Sequence, residues 1–333
     1  MTSIPNAGLQ LPPASPGGTW VAFLDVVPAS PGDVSATLAQ PDPDSLLTGE
    51  RLDSVSLHLT QARPSGARRT VVERGAAWPA FTPDGAFLTA VVHEEAGSDL
   101  LIHEIATGRN QRLELGLGRL IAPAVSPDRR RLVVAAHQGD PGHARLHVVE
   151  FATEHTQPVP LAAERRFQLC GQWLSDQTLV YLAGGEAGVE LRRWTLGAPG
   201  SEKLADLAIQ PATAAGAVQA LAAIARPVGP EQRELAYYAA ERDRIEVVDL
   251  ETAATRALPT GSRAGCWVGP GRIVTSARGD LLLCPRTGPV RRLLEGQMLP
   301  LWGGADPVRL LLAQPAEASQ WEFELLRLEV RRP

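Results

Sequence analysis

A short repeated unit is the feature of this sequence that most restricts how the chain can fold. The unit is a short strand, a tight polar turn and a longer apolar strand. It is clearest in residues 80–92 (AFTPDGAFLTAVV) and 124–136 (AVSPDRRRLVVAA). Pro-Asp-Gly suits a tight turn, because proline presets φ, aspartate hydrogen-bonds locally and glycine accepts positive φ. Recurrence of such a unit along a chain predicts a repeat architecture.

Five weaker copies bring the number of units to seven. In each copy, a turn rich in glycine, proline, serine or aspartate precedes an apolar strand. These copies lie at residues 15–24, 173–182, 228–238, 267–274 and 302–312. No stretch shows a sustained helical pattern with caps, and the alanine-rich run at 211–225 is therefore interpreted as an inner strand with its approach.

A second pattern follows several of these units after a short loop. It consists of a strand, a turn that contains Thr-Gly or a similar pair, and another strand, which is typical of a hairpin. It occurs at residues 100–113, 145–159, 245–258 and 281–294. Two hairpins in each unit make four strands, which is the content of one propeller blade.

The Ser-Pro-Asp-Gly turn, often preceded by an aromatic residue, and the later Asp-x-x-Thr-Gly turn resemble the TolB-type (WD-repeat-like) β-propeller repeat. The resemblance is strongest over residues 76–161 and extends to 167–207 and 228–296. It implies an all-β fold, a seven-bladed β-propeller of four-stranded antiparallel blades. Family members include periplasmic interaction platforms and the propeller domains attached to serine peptidases. This sequence has no room for a hydrolase domain and no Gly-x-Ser-x-Gly nucleophile elbow.

We therefore expect residues 1–333 to form one propeller domain with a long loop insertion in the first blade, at residues 28–53. A β-helix or a pair of β-sandwiches is the alternative, but sandwiches have no fixed period of ~40–50 residues and β-helix coils are shorter. The ring closes either with the tail at 329–332 or with a strand donated by residues 2–6. The approximate blades are 8–75, 76–116, 120–162, 167–208, 214–260, 264–296 and 298–333.

Composition excludes several classes of partner. Hydrophobic residues make up 44% of the chain, enough for a substantial core, and the formal net charge is -5. A mildly acidic chain lacks the basic surface of a nucleic-acid-binding protein. No stretch approaches the ~20 apolar residues of a membrane helix. The N-terminus lacks the basic and apolar regions of a secretory signal, so a cytoplasmic location is expected. The protein is also expected to be a monomer.

The lysine and cysteine content of the sequence excludes several kinds of catalytic site. Lys203 is the only lysine among 32 basic residues, which leaves no Walker-type lysine and no Schiff-base candidate. Cys170, Cys266 and Cys284 show no CxxC pattern. The last two are predicted two strands apart in one blade, about 9–10 Å, beyond the ~7 Å limit for a disulfide. We expect three buried, reduced thiols and no cofactor.

The long insertion is the first candidate binding element. Loops between the second and third strands of a blade share one face with the loops between blades, and an unstructured loop longer than about 12–15 residues tends to be functional or disordered. The insertion is expected to be a mobile decoration, a binding element or a partial lid, with Leu46 and Leu47 as a possible tether. Its binding-face candidates are Asp42, Asp44, Leu46 and Leu47.

Histidines and carboxylates in the corresponding loops of the second and third blades are weak candidates for metal ligands. Side chains from adjacent blades could converge at the channel mouth around a divalent cation. Exposed loops are commonly polar without such a role, and partner contacts are a further alternative. The candidates are His93, Glu94, Glu95, Asp99, His137, Asp140 and His143.

Two further features are interpreted as structural. Trp78, Trp173, Trp267 and Trp302 fall on predicted innermost strands and are expected to pack in the core. The basic run at 129–131 lies at a hairpin turn and is expected to be a solvated edge.

Three functional hypotheses follow. The first is a non-catalytic propeller scaffold that binds a protein or peptide through one loop face. The second is a metal-dependent, lactonase-like propeller hydrolase that uses the histidine and acidic loops. The third is a regulatory propeller related to peptidase propeller domains but without the hydrolase domain.

Overall fold

The structure, a computed structural model, describes residues 13–26, 47–48, 52, 55–61, 68–296, 298–305, 308–315 and 321–328. In chain order the strands are β1 Trp20–Val26, β2 Val55–Gln61, β3 Arg68–Val72, β4 Ala76–Phe81, β5 Phe87–His93, β6 Ser98–Glu104, β7 Asn110–Leu113, β8 Arg119–Val125, β9 Arg131–His137, β10 Arg145–Glu150, β11 Thr156–Pro158, β12 Phe167–Trp173, β13 Thr178–Gly185, β14 Gly188–Thr195, β15 Glu202–Leu207, β16 Glu234–Ala239, β17 Arg244–Asp249, β18 Thr255–Ala257, β19 Ser262–Gly269, β20 Arg272–Ala277, β21 Asp280–Pro285, β22 Arg291–Glu295, β23 Leu299–Ala305, β24 Val308–Pro315 and β25 Trp321–Leu328. Helix α1 spans Ala214–Ala222.

The strands pair into antiparallel sheets of consecutive strands, in the order β1–β3, β4–β7, β8–β11, β12–β15, β16–β18, β19–β22 and β23–β25. We number these sheets first to seventh. The prediction of an all-β propeller with four-stranded antiparallel blades is confirmed as an architecture. The stronger prediction, seven such blades, is met only in part, because the first, fifth and seventh sheets have three strands within the described ranges. The two predicted closing segments, 329–332 and 2–6, lie outside those ranges.

The polar turn of the repeat closes through side-chain hydrogen bonds. In the second sheet the hydroxyl of Thr82 donates to Asp84 at 2.6 Å, and the backbone N–H of Phe87 donates back to that hydroxyl oxygen. In the third sheet Ser126 donates to Asp128, also at 2.6 Å. Because the same two side chains satisfy the turn each time, the Thr/Ser-Pro-Asp pattern specifies a β-hairpin.

The innermost strands of the second, third and fourth sheets contain the same irregularity. Trp78, Ala122 and Cys170 have φ of 53, 48 and 56°, in the left-handed region that L-residues rarely occupy. In each strand the pairing register shifts at this residue. A β-bulge of this kind bends the strand and increases its twist, so the bulges set the curvature of the inner layer.

Helix α1 corrects one prediction. Residues 211–225 were expected to supply an inner strand, but 214–222 are helical. Thr213 caps the helix by accepting a hydrogen bond from the N–H of Gly216, and its alanines have the highest helix propensity. The signal was present in the sequence as a Thr cap before an alanine run. The helix packs against β12 and β16 and stands where the fifth sheet would otherwise have its innermost strand.

Aromatic residues pack between neighbouring sheets and within them. Trp78, Trp173 and Trp267 are buried as predicted, and the indole N–H of Trp173 donates to the carbonyl oxygen of Ala124 in the third sheet at 2.9 Å. The side chain of Trp302 lies outside the described part. Gly184 has no side chain to obstruct the Phe167 ring, which occupies the place of its missing Cβ.

The three cysteines are free and buried, as predicted. Burial raises the pKa of the Cys170 thiol to about 12 and that of Cys284 to about 11. Burial also raises the pKa of Cys266. A nucleophilic cysteine requires the thiolate form, and these surroundings disfavour it. Among the described helices, none is long and apolar enough to cross a membrane.

Candidate binding face

One end of the sheets carries the loops that join second strands to third strands and the loops that join one sheet to the next. We call this end the loop face and the opposite end, with the hairpin turns of the repeat, the turn face. Chain reversal in an antiparallel sheet forces this alternation. The strand ends that the predicted insertion connects, Val26 of β1 and Val55 of β2, both lie at the loop face.

The insertion is attached to the third sheet by a histidine. The ring of His137 at the end of β9 donates from Nε2 to the carbonyl oxygen of Leu47 at 2.8 Å, and its Nδ1 accepts from the N–H of Gly139 at 3.1 Å. These partners require the neutral tautomer with its proton on Nε2. Burial lowers the pKa of His137, although the bond to Leu47 opposes the shift.

Leu47 is 1% exposed and belongs to the main hydrophobic core together with Leu52. The prediction that it tethers the insertion is therefore supported, whereas a place for its side chain on an exposed binding face is wrong. A buried leucine side chain gains roughly 1.5–3 kcal/mol from leaving water, which explains why it turns inward. Asp42, Asp44 and Leu46 lie outside the described residues.

His93 occupies the equivalent position at the end of β5 and is buried. Its Nδ1 is hydrogen-bonded to the Ser98 hydroxyl at 2.7 Å, and its Nε2 has no hydrogen-bond partner in the described part of the chain. Burial, with smaller contributions from the charges of Arg119 and His137, lowers the pKa of His93 to about 4. His93 is consequently a neutral core histidine at physiological pH.

The acidic candidates in the same loop are paired with arginines of neighbouring strands. Arg112 contacts Glu94 at 2.8 Å and Asp99 at 3.8 Å. Burial and the nearby carboxylates of Glu94 and Glu114 raise the pKa of Asp99. The carbonyl oxygen of Glu95 accepts from Arg119.

Asp140 and His143 form an exposed pair in the β9–β10 loop, with Nδ1 of His143 2.7 Å from the carboxylate. Within the ranges that the structure describes, no three His, Cys, Asp or Glu side chains are grouped so as to hold a metal ion. The seven candidate ligands are thus dispersed among separate contacts. They are near in sequence and share a face, but His93 and His137 are buried, Arg112 contacts Glu94 and Asp99, and Asp140 pairs with His143.

Arginine-to-carbonyl bonds join the loops of successive sheets. Arg119 donates to the carbonyl oxygens of Glu94 at 2.7 Å and of Gly97 at 3.2 Å, so the third sheet is joined to the second. Arg145 donates to the carbonyl oxygen of Arg166 and joins the third sheet to the fourth. Sequence reasoning did not identify these links, because a backbone acceptor leaves no signature in the sequence.

A buried carboxylate in the fourth sheet was also missed. Glu190 contacts Arg165 at 2.5 Å, Arg192 at 2.7 Å and the single lysine, Lys203, at 3.2 Å. Burial alone would raise the pKa of Glu190, but the hydrogen bonds from these three cations hold it below its usual value. Because Arg165 belongs to the loop before β12, this cluster fixes another inter-sheet loop in place.

The inner layer carries few charges. Strands β4, β12 and β23 contain no Asp, Glu, Lys or Arg, and the chain from residue 207 to 225 contains none either. Two charged residues on the other innermost strands are engaged: Arg119 donates to carbonyls, and Arg263 donates to Asp243 at 2.8 Å.

Arg226 is different. It follows α1 in a bend between two isolated bridges, Ile224 with Gly265 of β19 and Val228 with Leu235 of β16. It is exposed, and it makes no hydrogen bond or ion pair with any residue that the structure describes. Desolvation lowers the pKa of Arg226.

Comparison with solved structures gives the same fold. Over 98% of this chain and 99% of the other, the protein superposes on the β-propeller domain of the Trilobed protease from Pyrococcus furiosus, with a TM-score of 0.59 and 12% identity. Acylaminoacyl peptidase from Pyrococcus horikoshii matches 96% of this chain over 51% of its own, with a TM-score of 0.59 and 14% identity. TolB from Acinetobacter baumannii matches 84% of this chain over 65% of its own, with a TM-score of 0.51 and 14% identity.

At these identities the comparisons show a TolB-like β-propeller fold and nothing about activity. This chain spans about two thirds of that TolB and about half of that peptidase. No protein-family model matches the sequence. No curated protein matches it with significance.

Proposed function

We propose that the protein is a non-catalytic β-propeller scaffold that binds a protein or peptide through its loop face. The proposal rests on one observation: the loops of the loop face are held in place by hydrogen bonds and ion pairs. Arg119, Arg145 and His137 bond to backbone oxygens across sheet boundaries, and the Glu190 cluster fixes the loop before β12. A surface fixed in advance loses little conformational entropy when it binds a partner.

The chemistry of the described residues supports recognition over catalysis. Catalysis by nucleophilic attack needs an activated nucleophile beside a base, and the three thiols are buried with raised pKa values. The metal-dependent hydrolase would need convergent ligands, and the seven candidates are dispersed. The regulatory, peptidase-related propeller stays a prediction, since it shares its fold with the scaffold and nothing in the loop face distinguishes the two.

The proposed scaffold is a cytoplasmic monomer. Three free cysteines, all buried and unpaired, support a reducing compartment. Sedimentation analysis of the purified protein tests the monomeric state, and a concentration-dependent dimer would contradict it.

Photocrosslinking tests the binding face. A photoreactive phenylalanine analogue is placed at Glu186 on the loop face or at Arg109 on the turn face; both side chains are 80% exposed. We expect a discrete covalent adduct in cells from position 186 and none from position 109. The captured partner, once purified, should bind the unmodified protein in titration, and Glu186→Arg should weaken that binding.

Adducts of equal yield from both positions, or none from position 186, would overturn the proposal. Stoichiometric metal in the purified protein together with turnover of lactone or ester substrates would overturn its non-catalytic part.

A further inference from the structure

We propose that Arg226 forms a carboxylate-binding site in the inner layer of the propeller and anchors an acidic group of the bound protein or peptide there. The inference rests on the proposed function and names the chemistry that the partner brings. Its basis is the contrast between Arg226, which is exposed and has no partner among the described residues, and the uncharged segment and innermost strands described above.

The position of Arg226 is fixed by backbone contacts on both sides. The N–H of Ala225 donates to the carbonyl oxygen of Gly265 at 3.0 Å, and the N–H of Ala236 donates to the carbonyl oxygen of Pro227 at 2.9 Å. The bend therefore lies between β19 and β16, where a four-stranded blade has the strand that borders the central channel.

A tryptophan holds the bend from behind. The indole N–H of Trp267 donates to the carbonyl oxygen of Pro227 at 3.3 Å, and the indole ring lies against Gly229, where a Cβ would be 3.2 Å from the ring. Trp267 itself is 5% exposed. Arg226 therefore projects from an anchored backbone segment, which fixes the position of its Cα.

The chain immediately around Arg226 contains no acidic residue. Apart from Arg226, residues 207–230 contain no Asp, Glu, Lys or Arg, and the next acidic residue is Glu231. Elsewhere in the described inner layer the arginines are satisfied, as Arg263 is by Asp243. Arg226 is exposed and has no such partner among the described residues, although nearby protein atoms partly desolvate it and lower its pKa. An incoming anion would supply the missing partner.

A carboxylate is the ligand that fits this setting. The planar guanidinium binds carboxylate oxygens through two parallel hydrogen bonds, and the innermost strands β4, β12 and β23 carry no charge that would compete for the ligand. A protein or peptide can supply the group from its C-terminus or from an Asp or Glu side chain.

NMR of the side-chain Nε–Hε groups, with ¹⁵N-labelled arginine, tests the site independently of the natural partner. The Arg226 signal is identified by its loss in Arg226→Gln. Four probes are titrated: N-acetyl-alanyl-alanine as the free acid, the same dipeptide as its C-terminal amide, N-acetyl-aspartic acid amide, and inorganic phosphate. We expect a saturable shift of the Arg226 signal with at least one of the two carboxylates and none with the amide.

The variants lack the Arg226 signal, so their affinity is measured from backbone amide shifts of the uniformly ¹⁵N-labelled protein. Arg226→Gln should weaken the binding of the carboxylate roughly tenfold or more, as expected for a lost charge-assisted hydrogen bond. Arg226→Lys should weaken it less, and Arg130→Gln, at an exposed arginine on the turn face, should leave it unchanged. A shift with the C-terminal acid alone identifies a chain end, and one with the aspartic acid derivative alone identifies a side chain.

Absence of a shift with both carboxylates, or tighter binding of phosphate than of either, would overturn the carboxylate site. Since the probes bypass the partner, this result leaves the photocrosslinking outcome untouched. In a different outcome, the carboxylates shift the Arg226 signal but position 186 gives no photocrosslinked adduct. That result would support the Arg226 site and overturn the proposed binding of a partner through the loop face.

Discussion

The Nε2 atom of His137 lies 2.8 Å from the carbonyl oxygen of Leu47, which precedes it by 90 residues. This contact joins the insertion of the first sheet to the end of β9 in the third sheet, past the intervening second sheet. Its acceptor is a backbone atom, so the identity of residue 47 matters only for packing. The histidine is thus the side chain on which the attachment depends.

Replacing His137 with alanine should release this segment. We expect a loss of about 1–3 kcal/mol in the free energy of unfolding, because a buried carbonyl would be left without its donor. Hydrogen exchange of peptides that cover residues 47–52 should become faster. His143→Ala, at an exposed position, should change stability by less than about 0.5 kcal/mol. Equal exchange in both variants would show that His137 does not hold the segment.

Stability should decline as the pH falls from about 6.5 toward 4. The folded state keeps His93 neutral because burial lowers its pKa from 6.5 to about 4, whereas the unfolded chain takes up a proton near its ordinary pKa. The unfolded state then binds more protons and is favoured by acid. The full effect of His93 is of the order of 3 kcal/mol. Denaturant titrations across this range should show a shallower decline in His93→Gln than in the exposed control His155→Gln; equal declines would count against His93.

Gly184→Ala should destabilise the fourth sheet. A Cβ at position 184 would lie 2.1 Å from Cζ of Phe167, and overpacking of this kind costs about 1–3 kcal/mol. Gly200→Ala, where a Cβ meets no atom within 4 Å, serves as the control in thermal and denaturant unfolding. The double variant Gly184→Ala, Phe167→Leu should recover part of the loss, and a failure to recover would point to a cause other than the ring contact.

Ala122→Gly and Ala124→Gly should have opposite effects although both alter β8. Ala122 has φ of 48°, and a left-handed L-residue costs roughly 1–2 kcal/mol that glycine avoids. Glycine also raises the entropy of the unfolded chain, by about 0.5–1 kcal/mol. We expect Ala122→Gly to leave stability unchanged or raise it by up to about 1 kcal/mol. Ala124→Gly should lower it; equal losses in both variants would argue against strain at the bulge.

The native protein should react slowly with a thiol reagent such as Ellman's reagent at pH 8. All three cysteines are buried, and burial raises the pKa of Cys170 to about 12. Three equivalents should react after unfolding in guanidinium chloride. Rapid reaction of one thiol in the native state would reveal an accessible cysteine, and mass spectrometry of the labelled protein would identify it.

The repeat itself could be predicted from sequence because its turns are local. Thr82 with Asp84 and Ser126 with Asp128 close their turns within a few residues, so the chemistry that makes the turn is also the visible pattern. The prediction of a strand at residues 211–225 was wrong because the repeat pattern favours a strand there. The helix that forms instead, α1, is held in that place by packing against β12 and β16.

The candidate site was harder to predict, since its decisive contacts join distant parts of the chain. The pairing of His137 with Leu47 and the isolation of Arg226 both depend on what neighbouring sheets bring to the same place. Asp140 and His143 are close in sequence and do form a pair, but proximity of this kind did not produce a metal site. The sequence predicts a binding face, which stays a prediction, and the three-dimensional contacts show which of its described residues have partners.

The arginine bonds to carbonyl oxygens have a consequence for how this molecule can change over time. Arg119 and Arg145 on the loop face, and Arg69 and Arg131 elsewhere, each donate to a backbone oxygen of an adjacent sheet. A point substitution in the receiving loop replaces a side chain and leaves that oxygen in place. The loops can therefore acquire new side chains, and with them new recognition properties, while the hydrogen bonds between sheets persist. Mutational tolerance should accordingly be high at the acceptor residues and low at the four arginines.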